Sequence, residues 1–334
     1  MPSVRDLKRA LRDAAARLRM RRDALLGGDC LVLLYHRVAD LPTDPQQLAV
    51  SPERFDAQIA WLKQHRRVIT PDEFDAHLVG RLRFPRRSAL ITFDDGYADN
   101  HVHARPIMER HGVQGIFYIS AGYIGSGREY WWDELERLLL LNDEHPMELL
   151  LERHGVRMSW NLDRVPDDDA MRPHYEALLV ALRALPSAKR DELLQELRGL
   201  VHSPKARATH LPMSEAELKS FAASPAVAIG AHTLLHSSLA AQSPKEQRHE
   251  IVGSKQRLEE MLGRMVDRFA YPFGTVHDYN AESIRICEEA GFRHAAANRS
   301  GIVHKGSPRY AFPRVLVRDW SPSELAAQLR PYDL

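Results

Sequence analysis

Ala89-Leu90-Ile91-Thr92-Phe93-Asp94-Asp95-Gly96-Tyr97 runs an apolar strand directly into two adjacent acids and a glycine. Two carboxylates at one strand end repel each other unless a cation or a proton lies between them. In parallel α/β folds the C-terminal strand ends are also where active sites form. A solvated Asp-Asp-Gly turn is the plain alternative. The rest of the chain decides between the two.

Further short apolar runs over 31–35, 115–119, 226–229, 268–271, 293–297 and 314–317 read as strands like 89–93. Helix signals lie between them. Thr70-Pro71-Asp72-Glu73 is a capping box with proline in the first turn and Gly80 as its stop. Ser214/Glu217 and Ser243/Glu246 repeat the box before helices over 215–222 and 244–262. Gly112 and Gly291 close helices over 98–111 and 281–290. Strands alternating with helices imply a parallel sheet with crossover connections, as a barrel or an open sheet. One region breaks the alternation. Residues 128–213 read as a mostly helical insertion, with Leu135/Leu138/Leu139, Leu178/Leu179/Leu182 and Leu193/Leu194/Leu197 at helical spacing.

Composition narrows the function. The chain has 334 residues and a net charge of +1, which argues against a nucleic-acid binder. Two distant cysteines, Cys30 and Cys287, exclude a disulfide framework or a cysteine zinc site. Residues 1–26 carry eight Lys/Arg and three Asp in an alanine-rich, helix-prone stretch without the apolar core of a signal peptide. This basic N-terminal helix, 1–29, either packs on the domain or lies on an anionic membrane surface. The expectation is a protein of the cytoplasm, either free or at the inner face of the cytoplasmic membrane. No phosphate loop, G-x-S-x-G elbow or G-x-G-x-x-G is present. His249-Glu250 starts like a zincin helix but lacks the second histidine; both read as surface residues.

A second strand, 226–229, ends in Gly230-Ala231-His232-Thr233-Leu234-Leu235-His236. Histidines four apart can turn both imidazoles to one metal. With an aspartate from the other strand end they complete the two-nitrogen, one-oxygen donor set of a catalytic metal site. His101 and His103, two apart on a helix, cannot share a face. Tyr271-Pro272-Phe273-Gly274 reads as a strand followed by a turn able to aim an N–H at a reacting oxygen. Tyr130, Trp131 and Trp132 open the insertion, where aromatic faces either stack on sugar rings or, for two of the three, pack into the insertion core.

Together, Thr92-Phe93-Asp94-Asp95-Gly96, His232-Thr233-x-x-His236 and Tyr271-Pro272-Phe273-Gly274 resemble the first three motifs of the polysaccharide deacetylases, the NodB-homology or carbohydrate esterase family 4 group. The resemblance covers roughly 30–125 and 214–318. It implies a distorted (β/α) barrel over 30–334, with the helical insertion at 128–213, and a metal-dependent hydrolase that removes N- or O-acetyl groups from a glycan. It implies Asp94 as general base and Asp95, His232 and His236 as metal ligands. Thr233 would brace the histidine loop, and the Phe273 N–H would hold the oxyanion, with Tyr271 and Trp132 as substrate contacts. Zinc is the expected metal; Ni²⁺, Co²⁺ or Fe²⁺ suits the same donors.

Two departures matter. Where many members place the arginine that orients the base, this chain has Ala270, and Arg314 is the expected substitute, ahead of Arg268. The late Leu-x-His that supplies the acid is missing. Leu33-Leu34-Tyr35-His36-Arg37 instead resembles the N-terminal Tyr-His motif of one branch, which makes His36 the expected acid, with His304 next. The substrate is then an acetylated glycan or a lipid-linked precursor. Deformylation of a lipid- or nucleotide-linked sugar, and an inactive glycan-binding module, are the alternatives.

Overall fold

The computed structural model describes residues 28–142, 145–161, 168–201 and 205–332. The basic helix read over 1–29 lies outside them, save Gly28 and Asp29. No described helix is long and apolar enough to cross a membrane.

Eight parallel strands form the main sheet: β1 (Cys30–Tyr35), β2 (Arg67–Val68), β3 (Ser88–Phe93), β4 (Gly115–Ile119), β5 (Val227–Ala231), β6 (Arg268–Ala270), β7 (His294–Ala296) and β8 (Val315–Leu316). Their order is β7-β6-β5-β4-β3-β1-β8, with β2 paired to the start of β3. β1, β3 and β4 are buried at every position. That is why they read as continuous apolar runs rather than alternating ones. The sheet curls into a half-barrel. The segment leading into β8 spans the gap, because Phe312 bridges to Ala296 before Val315 and Leu316 pair with β1.

The two faces of the sheet hold separate cores. Leu31, Leu33, Ile91, Phe93, Phe117 and Ile119 pack against the surrounding helices. Val32, Leu90, Ile116, Tyr118, Ala270 and Ala296 fill the interior with Phe74 and Phe84. Strand parity therefore carries Leu90, Thr92 and Asp94 along the inner face. Gly230 faces Tyr118 so closely that a Cβ there would lie 2.5 Å from the ring.

Outside the sheet, helices Pro71–Val79, Glu215–Ala222 and Pro244–Leu262 all carry the expected capping boxes. The helix read over 98–111 begins instead as a π-helical stretch, Asn100–Ala104, before Arg105–His111. Pro106, which lacks an N–H, marks that change. Within it, Asn100 donates to the His36 carbonyl at 2.9 Å and so ties down the end of β1.

The insertion is not all helix. Helices Trp131–Leu139, Asp168–Arg183 and Ser187–Leu200 are joined by an antiparallel hairpin, Glu148–Arg153 with Val156–Asn161. Leu149, Leu151, Val156, Met158 and Trp160 alternate inward along it. Its two-residue turn, His154-Gly155, has φ of 53° and 78°, the left-handed pair that matches strand twist. The hairpin and the expected leucines share one core with Trp131 and Trp132.

Candidate metal and catalytic centre

Asp94 and Asp95 leave β3 at its C-terminal end and part at once. Asp94 stays in the interior and receives both Arg314 Nη1 and Nη2, each at 2.7 Å, while Arg314 Nε donates to the Ala297 carbonyl. Burial alone would raise the Asp94 pKa. The Arg314 guanidinium outweighs it, with help from His232, and holds the carboxyl at about 2. Arg268 goes elsewhere, to Asp75 and Asp72.

Asp95 turns away through a left-handed backbone, φ 77°. Its carbonyl is held by Ser120 N–H at 2.9 Å and Tyr130 Oη at 2.8 Å. Thr233 (φ 64°), His236 (φ 49°) and Phe273 (φ 59°) share this rare conformation. Each such residue stores about 1–3 kcal/mol of strain that its surroundings must hold.

Glu250 supplies much of that support. It is not a surface residue: it is buried, and its Oε2 accepts Leu234 N–H and Leu235 N–H, both at 2.9 Å. His249 is exposed as expected. Thr233, by contrast, braces nothing with its side chain; its hydroxyl is buried with no hydrogen-bond partner among the described residues. The loop is pinned by its backbone, through Ala121 N–H on Thr233 O and Gly122 N–H on Leu234 O.

These constraints bring His236 Nε2 to 3.3 Å and His232 Nε2 to 3.7 Å from Asp95 Oδ1. His232 Nδ1 lies 2.8 Å from the Ala270 carbonyl, which fixes the tautomer with its Nε2 lone pair facing Asp95. Ala270 thus contributes a carbonyl where the resemblance expected an arginine. Burial lowers both histidines, and His236 falls to about 3, with Arg190 adding to the effect. The imidazoles are therefore neutral, and their contacts with Asp95 are not ion pairs. Burial raises Asp95, and its Oδ1 has no hydrogen-bond partner among the described residues. Two neutral imidazole nitrogens facing an uncompensated buried carboxylate oxygen fit a divalent cation. The atoms lie within 4.8 Å of one another.

A second cluster, Asp133, Glu136 and His210, is equally compact. Tyr97 Oη donates to Asp133 at 2.7 Å, Thr43 and Arg207 hold Glu136, and Thr209 Oγ1 lies 3.0 Å from His210 Nδ1, so each member already has a partner within the protein.

His36, Asp94, Asp95, Trp132, His232, His236 and Phe273 line one cleft of about 250 Å³. Burial lowers the His36 pKa despite the pull of Asp95 and Asp94. Its imidazole is therefore neutral at pH 7. Trp132 packs edge-on to His236 at 4.5 Å and donates its N–H to Tyr97. Phe273 lies on another side of His236, at 4.6 Å. Tyr271 does not reach the cleft: it is fully buried, stacks on Tyr279 and bonds the Tyr310 carbonyl. Parity explains this, since Ala270 faces the interior and Tyr271 therefore faces the helices. His101, His103 and His304 also lie outside the cleft.

The sequence reading missed Arg183, Asp278 and Arg318. Arg183 from the insertion lies over the Phe273 ring at 4.1 Å and holds Asp278 at 2.6 Å. Asp278 in turn receives Thr275 N–H at 3.0 Å and Ser238 Oγ at 3.2 Å. One carboxylate joins the insertion, the histidine loop and the Phe273 turn.

A curled parallel α/β sheet thus carries a candidate His-His-Asp metal site with a second, arginine-clamped aspartate beside it, a constellation suited to hydrolysis. Residues 81–145 and 202–295 match the family model described as polysaccharide deacetylase, and the break between them brackets the hairpin and two insertion helices. The protein named "Putative polysaccharide deacetylase YxkH" of Bacillus subtilis (strain 168) is 21% identical over 287 residues, 86% of this chain and 70% of that one. A poly-beta-1,6-N-acetyl-D-glucosamine N-deacetylase of Staphylococcus aureus is 33% identical over 78 residues, 23% of this chain and 27% of its own length. Among solved structures, Streptococcus pyogenes deacetylase PplD superposes with a TM-score of 0.59 at 17% identity, over 91% of this chain and 100% of that chain. IcaB from Ammonifex degensii gives 0.58 at 22%, over 90% and 97%. The chain belongs to the polysaccharide deacetylase family of hydrolases.

Proposed function

We propose that this protein hydrolyses acetyl groups, N-acetyl first among them, from an amino sugar in a glycan or glycan precursor. The observation that carries the reading is the division of labour between neighbours: Asp94 is ionised and clamped by Arg314, while Asp95 lacks a counter-ion and faces two neutral histidines. A divalent cation held by Asp95, His232 and His236, zinc foremost, supplies the Lewis acidity that polarises a poor electrophile such as an amide carbonyl.

The chain's own groups do the rest. Asp94, fixed at both oxygens, takes a proton from the attacking water. The Phe273 turn directs its N–H toward the oxyanion. His36 stands across the same cleft and delivers a proton to the leaving amine. It is neutral at rest, so it takes up a proton from solvent before it acts, an uptake that the charges of Asp95 and Asp94 favour. Trp132 and Phe273 wall the cleft beside His236. The similarity to a poly-beta-1,6-N-acetyl-D-glucosamine N-deacetylase supports an N-acetylglucosamine unit as substrate.

Mass spectrometry of acetylated glucosamine oligomers and lipid-linked glycan precursors, incubated with metal-loaded protein, tests the reading. Loss of acetyl groups is expected. Loss of a formyl group alone, or no product with any amide, overturns it.

A further inference from the structure

Two guanidinium groups line the cleft without a part in the hydrolysis, Arg183 and Arg318. Arg183 is committed, with both ends of its fork on Asp278. Arg318 differs. It follows β8, is half-buried, and donates to the backbone carbonyls of Gln46 and Gln47. No carboxylate pairs with it among the described residues. Asp44, the acid whose charge it feels, spends its oxygens on Leu48 N–H at 2.9 Å and Ala49 N–H at 2.8 Å. Of the other guanidiniums around the site, Arg37 has Asp99, Arg207 has Glu129 and Glu136, and Arg314 has Asp94; Arg190 also lacks an acid among the described residues, but it bonds the Leu235 carbonyl and does not line the cleft.

The charge balance of the cleft singles out the same residue. Asp94 is neutralised by Arg314, and Asp95 would be more than neutralised by a divalent cation held with the two neutral histidines. The remaining polar lining near the mouth, Gln46, Thr275 and Asn298, is uncharged. Arg318 is left as a partly desolvated cation without a counter-ion, which costs free energy that an incoming anion recovers. Burial accordingly lowers its pKa, only partly offset by Asp44.

We propose that Arg318 reads a negatively charged substituent, phosphate or carboxylate, carried by the substrate close to its acetamido group, so that the preferred substrate is an anionic rather than a neutral glycan. This rests on the deacetylase reading above. A guanidinium fork suits both oxyanions. A phosphate would mark a precursor linked through phosphate; a carboxylate would mark an acidic polymer.

The test compares three probes with metal-loaded protein at low salt: N-acetylglucosamine 1-phosphate, the disaccharide of N-acetylglucosamine and glucuronate, and neutral di-N-acetylchitobiose. Wild type should favour at least one anionic probe by about ten-fold in kcat/KM, the worth of one charge-assisted hydrogen bond. Which probe gains identifies the source of the charge. Arg318→Gln should erase the preference, mostly through KM, and Arg318→Lys should restore part of it. Equal kcat/KM for all three probes in wild type overturns the proposal. So does an equal loss on all three in Arg318→Gln, since Arg318 then only supports the Gln46–Gln47 backbone. Turnover of none of them sinks the deacetylase reading instead. Calorimetric binding of the sugar phosphate then judges the charge inference alone: weaker binding by Arg318→Gln upholds it, and equal or absent binding overturns it.

Discussion

Arg314 and Asp94, 220 residues apart in sequence, meet through two parallel hydrogen bonds of 2.7 Å, with side-chain exposures of 0% and 4%. The pair joins the segment that closes the half-barrel to the strand end that carries the chemistry. Bidentate geometry leaves Asp94 one orientation, and both groups are buried, so removing either strands the other as an uncompensated charge.

A pH effect follows, best read in metal-free protein. The Asp94 pKa is lowered from 3.8 to about 2 on folding. The folded state therefore gains stability that is present above pH ~4 and lost as pH falls toward 2, about 2 kcal/mol in all. Asp94→Asn cannot titrate. Urea unfolding should show the wild-type advantage over Asp94→Asn shrinking between pH 4 and 2. A gap that stays constant over that range would contradict the assigned ionisation.

Glu250 offers a test of how the histidine loop is held. Glu250→Ala removes the acceptor of two backbone N–H groups just before His236. Orienting partners of metal ligands typically contribute ~10–100-fold in affinity. A chelator competition should show weaker metal binding in that range, along with a stability loss of about 1–3 kcal/mol. Unchanged affinity would mean that the loop holds its shape without the clamp.

Much of this centre was legible in the sequence, for physical reasons. Strands buried on both faces read as plain apolar runs, so Asp94, Asp95 and His232 stood out as abrupt polar ends. Other features depended on what packs where. Glu250 lies on an amphipathic helix, and only docking of Pro244–Leu262 against the histidine loop makes it internal. The hairpin at 148–161 has the period-two pattern of strands, but short alternation among leucine-rich helices was absorbed into them. Strand parity places Tyr271 on the face opposite Ala270, away from the cleft. Arg318 gave no signal, because its lack of a counter-ion is a property of the folded cleft.

For His36 the expected signature is selective. The His36→Ala variant should retain metal and fold but lose activity on acetamides by ~10²–10⁴-fold, the usual weight of a general acid. An activated aryl acetate, whose leaving group needs little protonation, should lose far less. Equal losses on both substrates would make His36 a positioning residue.

The central claim is that two adjacent aspartates have separate tasks, Asp95 holding the metal and Asp94 moving the proton. Elemental analysis of purified wild type, Asp94→Asn and Asp95→Asn, each loaded with zinc and desalted, tests it most directly. The account predicts about one equivalent per chain in wild type and in Asp94→Asn, which is nonetheless inactive, and little or none in Asp95→Asn. Full occupancy in Asp95→Asn, or an empty Asp94→Asn, would contradict it.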